Sequence, residues 1–330
     1  MSPTKKTRAL LFGIGAIGAG IGRLAIERDD IELVAAVDSA PDKAGQSLYE
    51  ALDIQPPQGA ADVRIEADAE AALANAKPDV VLHATGSYLE HVLPQFSACV
   101  KAGVNVVSTC EELCYPWKRH PELAKQLDSE AKANGVTLLG TGVNPGFVMD
   151  TLAVTLTGVC QSVQSIRLKR VVDVGTRREQ LQRKVGVGIP VDEFRERAAA
   201  GSFGHVGLRE SCLLIASGLG WQLDSLEETL EPYPGSEGNA AGQLQRAVGT
   251  IGGKTVIEAV VQMSAGADDP RDEIEIEGVP PVHLVIKGGI AGDQATAGVI
   301  LNAVPLVIES KPGLVTMLDL PVLRGLGIRT

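Results

Sequence analysis

Aromatic residues are scarce in this 330-residue chain, which has two Trp, four Tyr and five Phe. A core must therefore be built mostly from Ala, Val, Leu and Ile. A basic excess is also missing: 30 Lys and Arg stand against 41 Asp and Glu, a net charge of −11. That balance argues against an extended phosphate-binding surface and excludes nucleic acid as the expected partner. No uncharged apolar run reaches the ~18 residues of a membrane span, so no membrane partner is expected. The five cysteines (Cys99, Cys110, Cys114, Cys160, Cys212) are an odd number without repeated spacing. They form neither a disulfide framework nor the paired set of a zinc site, and read as reduced, buried thiols with no metal implied.

What is present is ordinary globular material, with 45% apolar and 22% charged residues. Lys5-Lys6-Thr7-Arg8 followed by Ala9 to Gly22 has the outline of a signal peptide. Yet the apolar stretch carries glycines at ordered positions and runs straight into another strand-like segment. The segment reads as folded, and the protein as cytoplasmic.

The ordered glycines carry the first functional signal. A short apolar run, Ala9 to Phe12, ends at Gly13-Ile14-Gly15-Ala16-Ile17-Gly18. A helical stretch (Ile17 to Arg28) and a second apolar run (Ile31 to Val37) follow, closing on Asp38-Ser39. The first glycine permits a tight turn, the second admits a pyrophosphate to the backbone N–H groups, and the third lets helix and strand pack closely. The helix N-terminus favours the phosphates, and Asp38, twenty residues past Gly18, is placed to accept ribose hydroxyls. A 2′-phosphate would meet repulsion from Asp38 with no help from Ser39, which favours NAD. Lys43 leaves NADP open.

Strands and helices continue to alternate: Val63–Glu66, Asp79–Ala84, Val104–Ser108 and Val136–Gly140 read as strands, and Ala67–Ala76, Tyr88–Ala102 and Pro121–Asn134 as helices. The fold class is α/β, a Rossmann doubly wound parallel sheet. Ligands of such sheets lie beyond the carboxyl ends of the strands, which directs attention to Thr85-Gly86, Cys110-Glu111-Glu112 and Asn144. Asn144-Pro145 reads as a helix start, with Asn144 as cap, Phe147 near the mouth and the helix running to about Gly158.

The period then changes. Val163–Val174, Gly253–Ser264 and Val282–Ile286 read as strands, Val191–Ala200 and His205–Ser217 as helices, and Glu231–Gly242 as a loop. Ile274 and Ile276 alternate with Glu273, Glu275 and Glu277 at period two. This is an α+β second domain with a mixed sheet. The expected division is 1–145, completed by 305–330, for the dinucleotide-binding domain, and 146–304 for the second; a helix, Ala295–Ile308, is read as returning toward the first.

Four long strings now carry a resemblance: Thr109-Cys110-Glu111-Glu112-Leu113-Cys114-Tyr115-Pro116-Trp117, the run from Gly140 to Asp150, the run from Gly204 to Ser211, and the run from Pro312 to Pro321. Over nearly the whole chain the sequence resembles the 2,4-diaminopentanoate dehydrogenases and related native amine dehydrogenases, whose fold is similar to dihydrodipicolinate reductase. The resemblance implies NAD(P)-linked oxidative deamination of an amine, or reductive amination of a ketone with ammonia. It further implies a substrate-binding second domain and a homodimer built on its sheet. True dihydrodipicolinate reductases carry a His-His-x-x-Lys motif; this chain has no adjacent histidines, which counts against their reaction.

The resemblance makes Glu112 the general base that holds ammonium and accepts a proton; Glu111 is expected to face away, since adjacent side chains diverge. From the residues alone, an acidic pair after a strand is equally a helix-start carboxylate. His205 reads either as a proton-transfer group near neutral pH or as a hydrogen-bonded histidine at a helix start. Arg177 and Arg178, with Lys184 nearby, read either as solvated loop charges or as a fork for a substrate carboxylate. Phe147, Phe203, Tyr115 and Trp117 are candidate pocket walls. Two other readings stand beside the amine dehydrogenase: an imine or carbonyl reductase without free ammonia, and a non-catalytic dinucleotide sensor.

Overall fold

The computed structural model describes residues 6–201 and 203–326; Lys5 and the ends of the 1–145 and 305–330 segments lie outside the described residues. The chain forms two compact units, one running to Val143 and resuming at Gly292, the other spanning Asn144–Ala291.

The first unit alternates as its pattern predicts. Its elements are β1 (Thr7–Phe12), α1 (Ala16–Glu27), β2 (Ile31–Val37), α2 (Leu48–Ala51), β3 (Ile65–Glu66) and α3 (Ala69–Ala76). They continue with β4 (Val80–His83), α4 (Leu89–Lys101), β5 (Asn105–Ser108), α5 (Pro121–Asn134) and β6 (Thr137–Gly140). The second unit holds α6 (Thr151–Thr157), β7 (Ser162–Asp173), α7 (Glu179–Lys184), α8 (Val191–Ala199) and α9 (Leu208–Gly218). It adds β8 (Ser225–Pro234), β9 (Ala240–Ile251), β10 (Lys254–Ser264), β11 (Arg271–Val279) and β12 (Val282–Lys287). The first unit is then completed by α10 (Gly292–Ile308) and β13 (Gly313–Val315).

The first sheet is parallel, in the order β13-β6-β5-β4-β1-β2-β3. The chain reverses direction between β1 and β4, so the crevice beyond their carboxyl ends is the topological switch point where such sheets bind ligands. Alternation along β1 explains why both faces are covered: Ala9 and Leu11 join one apolar cluster, and Leu10 and Phe12 the other. Ile21 and Ala25 of α1 and Ile300, Leu301, Val304 and Val307 of α10 fill the first cluster; Phe96 of α4 and Leu127 of α5 fill the second.

The second sheet is mixed, in the order β12-β11-β7-β10-β9-β8, with β7 and β10 parallel and the remaining pairs antiparallel. Ile166 and Leu168 of β7 and Ile274 and Ile276 of β11 are buried on one face, while Arg167, Lys169 and Glu275 are exposed on the other. Among the described residues no helix is long and apolar enough to cross a membrane. All five cysteines are free; four are buried and Cys160 is half-exposed.

Several expectations change. The helix expected from Pro145 begins at Thr151. Gly146 sits at φ 123°, in the left-handed region, and the Asp150 carboxylate, not Asn144, accepts the Gly146 and Thr151 N–H groups at 2.8 and 2.5 Å. The loop expected over Glu231–Gly242 is mostly the hairpin of β8 and β9, with only residues 235–239 between them. Pro232 and Pro234 misdirect there: β8 is an edge strand, where proline is tolerated. The helix expected from His205 begins at Leu208, leaving His205 in the preceding loop. The chain re-enters the first unit at Gly292 rather than at residue 305, because the apolar faces of α10 from Ala297 onward are buried in that unit's core. Val63–Glu66 shrinks to the two-residue β3.

Candidate active site

In the first unit the glycine turn follows β1 directly. A Cβ at Gly13, which has φ 92°, would lie 2.7 Å from the Ala84 carbonyl oxygen, and one at Gly18 would lie 1.9 Å from that of Gly13. These two glycines are required by the protein's own packing. At Gly15 a Cβ would meet nothing within 4 Å. The turn is open there, beside the exposed Ala16 and half-buried Ile17 that begin α1, whose first-turn N–H groups have no partner within the helix. This cradle fits a pyrophosphate, which bears on the backbone and leaves no room for a side chain.

Asp38 follows β2. Its Oδ2 accepts Ile14 N–H at 2.8 Å and the Lys43 ammonium at 2.9 Å, and Oδ1 accepts Ala40 N–H at 3.0 Å. Partial burial opposes its charge, but the Ala40 N–H, Lys43 and the Ile14 N–H outweigh it and hold the carboxyl below its usual range. Ser39 is exposed next to it. After β4, Thr85 Oγ1 lies 2.9 Å from His83 Nε2 and donates to Gln95 Oε1 at 2.5 Å, which braces the Thr85-Gly86 turn against α4. His83 is fully buried, also 2.9 Å from Ser108 Oγ through Nδ1, and burial pushes it down to about 4. It is a neutral, structural histidine.

Glu112 lies beyond β5 in a short 3-10 turn, Glu111–Cys114. The pair diverges as expected: Glu112 is 3% exposed, whereas Glu111 is half-exposed. Glu112 Oε2 accepts Leu89 N–H, at the start of α4, at 2.8 Å and lies 2.9 Å from His120 Nε2. Oε1 faces Arg119 Nε at 3.7 Å. Burial raises the phenol of neighbouring Tyr88, and the charges of Glu112 and Glu111 raise it further. The glycine turn, Asp38, Thr85-Gly86 and Glu112 all follow carboxyl ends of one parallel sheet, so a single edge carries them.

In the second unit His205 Nε2 lies 3.2 Å from Asn144 Nδ2. His205 N–H donates to Gln243 Oε1 at 3.2 Å, and its carbonyl accepts from Gln245 Nε2 at 3.0 Å. Burial first, then the charges of Lys184 and Arg170, push His205 down to about 3. That shift favours the neutral ring, hydrogen-bonded beside Asn144, over the proton-transfer reading. Phe147 is half-buried in the turn that follows.

Arg177 is half-buried and lines an open cavity of about 300 Å³ with Arg170, Asp173, Asp272 and Ile290. Arg170 is spoken for: it donates to Asp272 Oδ1 at 2.6 Å and to the Ile290 carbonyl at 2.7 Å. Arg178 is exposed at the start of α7 and is not part of that lining. The two arginines therefore do not form one fork. Phe203 stacks edge-on against buried Phe194 with ring centres 5.0 Å apart, and Trp117 packs on the first unit's core; both are packing residues.

His120, the Arg170–Asp272 pair and Gln243 and Gln245 were not legible as site residues. Arg170 and Asp272 left a signal, since strand alternation puts them on the faces of Ile166 and Leu168 and of Ile274 and Ile276. His120 left none, lying in an irregular loop.

Residues 147–328 match the family model of the 2,4-diaminopentanoate dehydrogenase C-terminal domain, and residues 9–139 that of the saccharopine dehydrogenase NADP-binding domain. The chain is 32% identical to a 2,4-diaminopentanoate dehydrogenase of Acetoanaerobium sticklandii, over 98% of this chain and 95% of that one. It is 26% identical to an amine dehydrogenase of Streptomyces virginiae, over 93% and 95% of the two chains. Its fold is similar to the structure of an amine dehydrogenase from Mycobacterium smegmatis, with a TM-score of 0.86, 26% identity and 98% of each chain covered.

Proposed function

The chain belongs to the 2,4-diaminopentanoate dehydrogenase family and is an NAD(P)-dependent amine dehydrogenase, and we propose that Glu112 is its general base and that its substrate carries a carboxylate. The observation that carries this reading is the buried Glu112 carboxylate, held at Oε2 by Leu89 N–H and His120 on the sheet edge that bears the glycine turn. A bound nicotinamide supplies or takes up the hydride. The turn from Gly13 to Gly18 with Asp38, Ser39, Thr85 and Gly86 holds that cofactor, and Asn144, 3.2 Å from His205, is a further residue assigned to it.

Glu112 holds ammonium by charge and hydrogen bonding, then takes a proton as nitrogen attacks the carbonyl; in deamination it returns that proton. Burial strengthens the attraction, because less solvent competes for the carboxylate. Arg177 takes the substrate carboxylate, since the cavity it lines has its other arginine already bound to Asp272. Phe147 contributes apolar wall. NAD is preferred over NADP, because Asp38 stays ionised where a 2′-phosphate would come. The exposed, charged face of the six-stranded sheet, with Arg167, Lys169 and Glu275, is the surface for a homodimer, and five free cysteines fit a reducing, cytoplasmic setting.

The test is NADH oxidation with and without ammonium, using 2-amino-4-oxopentanoate as the carbonyl substrate. Strict dependence on ammonium supports the reading. Oxidation without ammonium overturns the role of Glu112 and points to a carbonyl or imine reductase. No oxidation with this or a simpler ketone favours the dinucleotide sensor.

A further inference from the structure

Reductive amination has a proton balance that the buried base alone does not meet. A ketone, ammonium and reduced nicotinamide give a protonated amine, oxidised nicotinamide and water only if one further proton enters from solvent. Deamination must release the same proton. Glu112 is 3% exposed and cannot exchange it freely with water.

One chain of groups leads outward from it. His120 Nε2 lies 2.9 Å from Glu112 Oε2, and its other ring nitrogen, Nδ1, faces Glu90 Oε1 at 3.6 Å. Side-chain exposure rises along the series, from 5% for Glu112 to 13% for His120 and 70% for Glu90. The Nδ1–Glu90 gap exceeds hydrogen-bond length, and a rotation of the exposed Glu90 side chain or one bridging water closes it. Among the described residues, Arg119 faces Glu112, and Tyr88, in the field of Glu112 and Glu111, lies near it with His91 edge-on to its ring.

We propose that His120 conducts protons between solvent and Glu112, with Glu90 as the outer collecting group. In the amination direction, Nδ1 receives a proton from Glu90 or water, and the Nε2 proton passes to Glu112 Oε2. No electrons move; one N–H bond forms at Nδ1 as the one at Nε2 breaks. Exchange of the ring with solvent, which adds a proton at Nε2 and removes the one at Nδ1, restores the starting tautomer, and deamination runs the series in reverse. The inference rests on Glu112 being the base, and His120 acts only through it, as a positioning and relay residue.

The test compares His120→Gln, His120→Ala, Glu90→Gln and Glu112→Gln with the wild type, in both reaction directions across pH. Gln at 120 keeps a donor toward Glu112 but relays nothing. Its kcat should fall on the order of tenfold or more, with a larger solvent isotope effect and an ammonium KM within about twofold. Added imidazole should restore His120→Ala, and Glu90→Gln should shift the pH profile more mildly. In the protein without ligands, the ring ¹⁵N resonances of His120 should move on Glu112→Gln. Wild-type kcat and isotope effect in His120→Gln, or a defect confined to ammonium KM without imidazole rescue, would overturn the relay. A Glu112→Gln variant as active as the wild type overturns the base and the relay together; an inactive one beside an unaltered His120→Gln overturns the relay alone.

Discussion

The Lys43 ammonium sits 2.9 Å from Asp38 Oδ2 and 3.0 Å from the Ile14 carbonyl, so one lysine ties the acidic residue after β2 to the glycine turn after β1. A 2′-phosphate arriving here meets an ion pair, not a lone carboxylate. Removing Lys43 leaves the repulsion unbalanced: Lys43→Ala should lower kcat/KM for NADPH about tenfold relative to NADH, a difference of about 1.4 kcal/mol. Asp38→Ser should move the ratio the opposite way. Initial rates with both cofactors decide it; an unchanged ratio in Lys43→Ala would mean that Asp38 alone sets the preference.

Glu112→Gln separates charge from shape. The amide oxygen can still accept Leu89 N–H, so the start of α4 keeps its partner and the melting temperature should stay close to that of the wild type. The amide neither attracts ammonium by charge nor takes a proton. Amination should fall ~10²–10⁴-fold, the range of a lost general base. Activity within threefold of the wild type would remove Glu112 from the chemistry.

His83, together with the more strongly depressed His205, gives stability an acid limb. The folded value of His83, about 4, lies below the ordinary 6.5, so below pH 6.5 the unfolded chain takes a proton that the buried ring refuses. Unfolding then binds protons, and stability falls as the pH drops from 6.5 toward 4, by about 3 kcal/mol at the lower end from this group. Urea midpoints between pH 7 and pH 4 should show that acid limb. His83→Gln should be less stable at pH 7 yet show a flatter limb. An equally steep limb in the variant would place the effect elsewhere.

Local chemistry made the first unit readable. The Gly13, Gly15 and Gly18 spacing, the strand ending at Val37 and Asp38 after it all lie within one βαβ segment, where turn, helix and strand specify each other. Glu112 is singled out by the resemblance and by its place after β5. The structure adds what short spacings cannot carry: His120 returns to Glu112 across a loop, and His205 reaches Asn144 from sixty-one residues away. Composition misled at Pro232 and Pro234, whose strand is at a sheet edge, and at Pro145, where Gly146 and Asp150 shape the turn.

Arg177 and Arg178 are neighbours in sequence but not in surroundings, and that difference tests the substrate class. Arg177 is half-buried in the cavity beside the Arg170–Asp272 pair, while Arg178 is exposed at the start of α7. A carboxylate bound at Arg177 gains a charge-assisted contact worth roughly 1.5–3 kcal/mol, or about ten- to a hundredfold in KM. Arg177→Ala should therefore raise the KM for 2-amino-4-oxopentanoate by that factor and leave pentan-2-one unaffected. Arg178→Ala should change both by less than twofold, because Arg178 is exposed outside that cavity. If Arg177→Ala weakens the two ketones equally, the residue shapes the fold of its loop and the substrate carboxylate is held by another group. If neither ketone is affected, Arg177 does not hold the substrate carboxylate, and the cavity beside β7 is no part of the enzyme's specificity.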